Sequence, residues 1–183
     1  MDKHYWKDAY KDQWAAASKK EEAVKKLIEN ETGLEVQIVG LGAGTSGFIA
    51  GNATDNKMEK GDADLYITKT DSYVEVTGPN IPMQLEAPLW FRPDKFQNTE
   101  RKLLAGKGKL HFVVHVLDQR GTGNKVIRVI NLNEYFFKKL KAGSYPTVYP
   151  RIRGRQETYI EIPYNSDVIL SFGEFIELLK ALG

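Results

Sequence analysis

The chain predicts an α/β protein, a mixed central sheet flanked by helices, forming one domain over residues 1–183. Three observations lead there. Apolar segments of helical and of two-residue period follow the order helix, three strands, helix, two strands, helix, strand, helix. The loops between the first three strands are too short for helical crossovers, which predicts an antiparallel meander. A helix then precedes the fourth strand and can return the chain to a parallel partner.

Residues 11–30 are rich in helix formers, with Trp14, Ala17, Val24 and Ile28 on one stripe and Leu27 beside it. Thr32-Gly33 closes that helix. Residues 34–39 alternate as a strand and run into Gly40-Leu-Gly-Ala-Gly-Thr-Ser-Gly47 and a polar stretch at 52–60. Residues 64–68 and 73–77 read as strands around the turn Thr70-Asp71-Ser72, and Gly78-Pro79-Asn80-Ile81-Pro82 breaks the pattern. A helix follows at 93–105, ended by Gly106. Residues 110–117 and 125–131 are strands joined by a turn at 119–124. Residues 133–141 are helical, anchored by Tyr135, Phe136 and Leu140. A loop at 142–156, a strand at 158–163 and a helix at 171–182 complete the chain.

Composition narrows the chemistry. With 42% apolar and 27% charged residues, a chain of 183 residues can bury a core and is not disordered throughout. It has no cysteine, which excludes disulfides, thiolate zinc sites and cysteine nucleophiles. His4, His111 and His115 are the only imidazoles, so a histidine-rich metal site or a Ser-His-Asp triad is poorly supplied. His111 and His115 flank an apolar strand, where a structural role is expected. A net charge of +2 does not announce a nucleic-acid binder. The N-terminus lacks a signal-type apolar core, and no run approaches the ~20 apolar residues that span a bilayer. An intracellular, cytoplasmic location is expected.

The carboxylates carry the functional signal. Gly-Asp-Ala-Asp-Leu-Tyr-Ile at 61–67 opens one strand with acid, and Tyr-Val-Glu-Val-Thr at 73–77 places another acid inside the next. A short turn between the strands brings Asp64 and Glu75 to one sheet edge. Carboxylates gathered there are costly unless a cation joins them, and a hard divalent ion suits oxygen ligands. Metal-assisted chemistry on a phosphodiester is the expectation.

These residues, in this element order, resemble the PD-(D/E)XK nuclease superfamily, nearest to Holliday-junction resolvases of archaea and their viruses. Asp64 matches the motif aspartate, Leu65-Tyr66-Ile67 the apolar strand after it, and Glu75-Val76-Thr77 the Glu-X-Lys position. The similarity covers about residues 10–130, with 131–183 as a family-specific C-terminal extension. It implies a restriction-endonuclease-like sheet and a Mg2+- or Mn2+-dependent endonuclease cutting DNA, including branched DNA. A homodimer is expected on junctions, and a host-cell location if the source is viral. Asp64, Glu75 and the Val76 carbonyl would be metal ligands. Glu21 or Glu22 would supply the first-helix glutamate, Glu21 being preferred because it lies toward the apolar stripe. Asp62 is a turn residue or a helper of a second ion.

Thr77 departs from the pattern, because threonine supplies no positive charge where the family has lysine. Either Lys69 or Lys95 replaces it, or the chain is a catalytically impaired DNA-binding or partner-binding module. The glycine-rich stretch is not followed by a helix and lacks Gly-Lys-Ser/Thr, which excludes dinucleotide and P-loop readings. Its Thr45 and Ser46 are candidate phosphate contacts. Basic residues gather at Arg92, Lys95, Arg101 and Lys102, at Lys107 and Lys109, and at Lys138, Lys139 and Lys141. Arg151, Arg153 and Arg155 alternate with Ile152 and Gly154, which in an extended loop puts the three guanidinium groups on one side, facing DNA.

Overall fold

In the computed structural model, residues 3–39, 63–152 and 154–183 are described, residues 3–16 and 18 by backbone alone. In chain order they form α1 (Lys3–Thr32), β1 (Val36–Ile38), β2 (Leu65–Ile67), β3 (Ser72–Thr77), β4 (Leu89–Phe91), α2 (Pro93–Leu104), β5 (Leu110–Asp118) and β6 (Lys125–Asn131). Then follow α3 (Glu134–Lys141), β7 (Thr147–Val148), β8 (Arg151–Ile152), β9 (Arg155–Gln156), β10 (Tyr159–Ile162), β11 (Ile169–Ser171) and α4 (Phe172–Leu182). The glycine-rich stretch at 40–47, with Thr45 and Ser46, lies outside the described residues, as do Asp62 and Arg153.

The fold is α/β with a mixed six-stranded sheet in the order β1-β2-β3-β5-β6-β11. β1, β2 and β3 are the antiparallel meander, and β3 and β5 are parallel across the α2 crossover. β5 sits centrally and is buried from His111 to Leu117, as its unbroken apolar character requires of a strand covered on both faces. One face carries α1 and α4: Val24 and Ile28 meet Leu65, Ile67, Val74, Phe112, Phe175 and Leu179. The other carries α2, α3 and a small sheet of β4, β10 and β7, through Phe96, Phe136, Leu89, Phe91 and Ile162 on Val113 and Ile130.

Local chemistry explains the helix ends. Pro93 opens α2 at a position that needs no amide hydrogen. The Asn133 side chain accepts from the Phe136 amide at 3.0 Å, capping α3. Ser171 and Glu174 form a reciprocal capping box on α4. Residues 131–183, expected as an extension, are woven into the same body. β11 completes the sheet and α4 supplies Phe175, Ile176 and Leu179 to the core. The loop expected at 142–156 contains β7, β8 and β9.

Candidate active site

Asp64 precedes β2 at a break in the strand. Its amide donates to the Val74 carbonyl at 3.1 Å, while its own carbonyl accepts from the Val39 amide at 2.8 Å. A regular strand residue directs both groups to one neighbour, so the backbone turns here as at a bulge. The turn leaves the Val76 amide without a strand partner on that side, and Asp64 Oδ2 accepts it at 2.7 Å. Alternate residues of a strand present their carbonyls to the same side. The Val76 carbonyl therefore follows Val74 toward the Asp64 edge.

Glu75 lies between Val74 and Val76, both packed into the α1/α4 core, so its side chain emerges on the α2 face. There Lys95 meets it, with Nζ 2.7 Å from Glu75 Oε1. Lys95 is held in place by its neighbour Phe96, 2% exposed and packed on Phe91 and Phe136. Glu21 shares the buried stripe of α1 with Val24 and Ile28 and is 5% exposed. Glu22 instead sits half-buried, paired with Lys26 at 3.6 Å. Lys25, four residues after Glu21, engages Glu29 and donates to the Val36 carbonyl at 2.6 Å.

The electrostatics follow from this crowding. Burial raises the Asp64 carboxyl above its ordinary range, against the pull of Lys95 and the Val76 amide. Glu75 is pushed up to about 8, first by burial and then by Asp64, with Lys95 opposing and Glu21 adding. Burial works against the Lys95 charge, but Glu75 and Asp64 outweigh it and hold the ammonium above the usual lysine range. Beside these groups lies a cavity of about 10 Å³, lined by Tyr73, Glu75, Lys95, Thr99, Lys102 and His111, at the lower limit for one water.

Asp64, Glu75 and Lys95 thus come together, with Glu21 close enough for its charge to act on Glu75. Thr77 is half-buried on Glu75's face and pairs in register with His115. Lys69 lies beyond the opposite end of β2 from Asp64, near Thr32 and Gly183, which leaves Lys95 as the neighbouring cation. Among the described residues, no three acidic or imidazole side chains form a ready metal-binding group.

The arginine triplet does not keep one side. β8 and β9 pair antiparallel, Arg151 with Gln156 and Ile152 with Arg155. Cross-strand partners share a face, so Arg151 and Arg155 project oppositely. The turn through Gly154, at φ +75°, reverses the chain and cancels the alternation.

A second buried cluster was not singled out from the sequence. Arg128, 6% exposed, donates to the Ala87 carbonyl at 2.8 Å, and its Nη2 lies 3.3 Å from His115 Nδ1. Lys20 donates to the Gly78 and Pro79 carbonyls at 3.1 and 2.7 Å and to Asn80 Oδ1 at 2.9 Å. A lone arginine inside the apolar strand 125–131 was the available signal. His111, expected to be structural, stacks on Tyr73 with ring centroids 5.2 Å apart.

No protein-family model matches the chain, and a search of curated proteins finds no match either. Among the described residues, no helix is long and apolar enough to cross a membrane.

Proposed function

We propose that this protein is a metal-dependent endonuclease of the PD-(D/E)XK type, hydrolysing DNA phosphodiester bonds with its lysine moved from strand to helix. The observation that carries this reading is the Lys95–Glu75 contact beside buried Asp64. It returns to the carboxylate edge the positive charge that Thr77 lacks.

The donor set suits Mg2+ or Mn2+. Burial raises the pKa of both carboxyls, a cost that a bound cation would offset, a strand carbonyl adjoins them, and all are hard oxygens. Asp64, Glu75 and the Val76 carbonyl would hold the ion, with Glu21 nearby. Bound there, it would supply Lewis acidity and a more acidic water. The chain's own residues do the rest. The Val76 amide orients Asp64. The Lys95 ammonium sets positive charge where a phosphate's growing negative charge needs it. Phe96 fixes α2, so the ammonium stays at the sheet edge. Branched DNA and a homodimer, with one site per strand cut, are the finer form of the proposal.

A second reading, a nuclease-fold binding module without catalysis, has its own support. Lys95 already neutralises Glu75 internally, and no ready three-group metal cradle is present among the described residues. A plasmid-nicking assay with Mg2+ or Mn2+, run beside DNA-binding measurements, separates the two. The nuclease reading expects cutting by wild type and a loss of at least about 10²-fold in Asp64→Asn and Glu75→Gln. Wild type that binds DNA but cuts with neither metal establishes the binding module.

A further inference from the structure

The small sheet of β4, β10 and β7 has no part in the proposed chemistry, yet its outer face is aromatic. Leu89, Phe91, Ile160 and Ile162 turn inward and are buried. Trp90 and Tyr159 therefore turn outward, by strand alternation. Their rings stack with centroids 5.8 Å apart and planes at 28°, and Trp90 is 38% exposed. Their polar atoms are already engaged within the chain: Trp90 Nε1 donates to Glu161 Oε2 at 2.7 Å, and the Tyr159 hydroxyl to Glu157 Oε2 at 2.6 Å. What this face offers a ligand is ring surface.

Charge of both signs borders it. Ile160 pairs with Phe91, so Arg92 falls level with Tyr159, whose hydroxyl meets Glu157, at one end of the sheet, while Glu161 lies opposite Trp90. The β8–β9 hairpin, with Arg151 and Arg155, leaves β7 and re-enters β10 at the Tyr159 end. Exposed Tyr149 stands at its base. α2 also begins there, with Lys95 in its first turn. Arg92 makes an exposed two-pronged contact with Asp94, through Nε at 3.1 Å and Nη2 at 2.8 Å, and a phosphate would take the place of that carboxylate. Lys95 follows Trp90 by five residues of chain.

We infer that the outward Trp90–Tyr159 face is a stacking platform for unpaired bases of the bound DNA strand, with Arg92 guiding its backbone toward Lys95. The inference rests on the nuclease reading and names its substrate class. Bases inside a continuous duplex cannot reach a flat protein ring, whereas splayed bases at a fork or junction can. Arg92 and the hairpin arginines offer the phosphates partners, and sequence-tolerant stacking needs only the exposed π surface.

The test is binding without added metal, so that cleavage does not enter. A forked duplex is compared by fluorescence anisotropy with a blunt duplex of equal phosphate count. Wild type is expected to prefer the fork. Trp90→Ala should weaken fork binding about tenfold and leave blunt binding nearly unchanged, with Trp90→Phe keeping most of the affinity. Abasic sites at the unpaired positions should reproduce that loss in wild type. Equal binding of intact and abasic forks by wild type overturns the platform, as does an equal loss on both duplexes in Trp90→Ala. Wild type that cuts DNA but ignores abasic sites overturns the platform alone. Wild type that binds no DNA and nicks none with Mg2+ or Mn2+ overturns the nuclease reading as well.

Discussion

Two clusters of buried charge lie two residues apart along β3, and they meet the cost of burial in opposite ways. Around Thr77 and His115 the cations Lys20 and Arg128 are served by backbone carbonyls of residues 78, 79 and 87. Those carbonyls belong to the stretch between β3 and β4, so the cluster ties that stretch to α1 and the sheet. Around Glu75 the carboxylates face each other, and one lysine offsets them. A cluster whose cations are met by backbone carbonyls is a structural fastening. A cluster that gathers like charges against the fold's interest is a candidate for chemistry.

The largest effect that sharpens this contrast is on stability. Arg128→Ala leaves His115 and the Ala87 carbonyl without their donor in a buried place, and should cost about 3 kcal/mol in denaturant unfolding. A loss below about 0.5 kcal/mol would erase the distinction between fastening and site. The opposite sign is expected at the other cluster. Asp64→Asn removes one of two repelling acids while an amide oxygen still accepts from Val76, and should stabilise by about 1 kcal/mol at pH 8. The gain should fade on acidification, because the wild-type carboxyl, raised by burial, is then protonated in both states. A destabilised Asp64→Asn protein at pH 8 would mean that the acid belongs to the fold.

A third effect, read by its direction, is a pair of opposed pH slopes. Glu75, raised from 4.5 to about 8, takes up its proton in the folded state first, so its contribution falls as pH rises through that window. His115 is lowered from 6.5 to about 3 by burial, Arg128 and Lys20. Its unfolded form protonates first, so stability is lost as pH falls from 6.5 toward 3. His115→Gln should remove the acid-side loss and change stability at pH 7 by less than about 1 kcal/mol, read by thermal melts across pH. An unchanged acid limb would place the loss elsewhere.

The long elements were legible because burial writes a period into sequence. The apolar run of β5, the alternation of β6 and the α1 stripe each mark a face. Among the short strands, β1 and β2 were marked by the turn residues beside them, whereas β4 and β11 were not: Leu89-Trp90-Phe91 before Arg92-Pro93 has no turn signal to set it apart. The convergence of Asp64 and Glu75 followed from a hairpin whose register, Leu65 opposite Val74, is local. The position of Lys95 depended on how α2 packs through Phe96, a long-range fact, so sequence left it level with Lys69. The arginine triplet misled because alternation persists only while the chain stays extended, and Gly154 turns it.

The central claim is that Lys95 supplies from α2 the charge that Thr77 does not supply from β3. Plasmid nicking in Mg2+ by wild type, Lys95→Ala and the double variant Lys95→Ala/Thr77→Lys tests it most directly. The account predicts cutting by wild type, a loss of about 10²- to 10³-fold in the single variant, and recovery when lysine returns to the strand on Glu75's own face. A Lys95→Ala protein that cuts at the wild-type rate would contradict it.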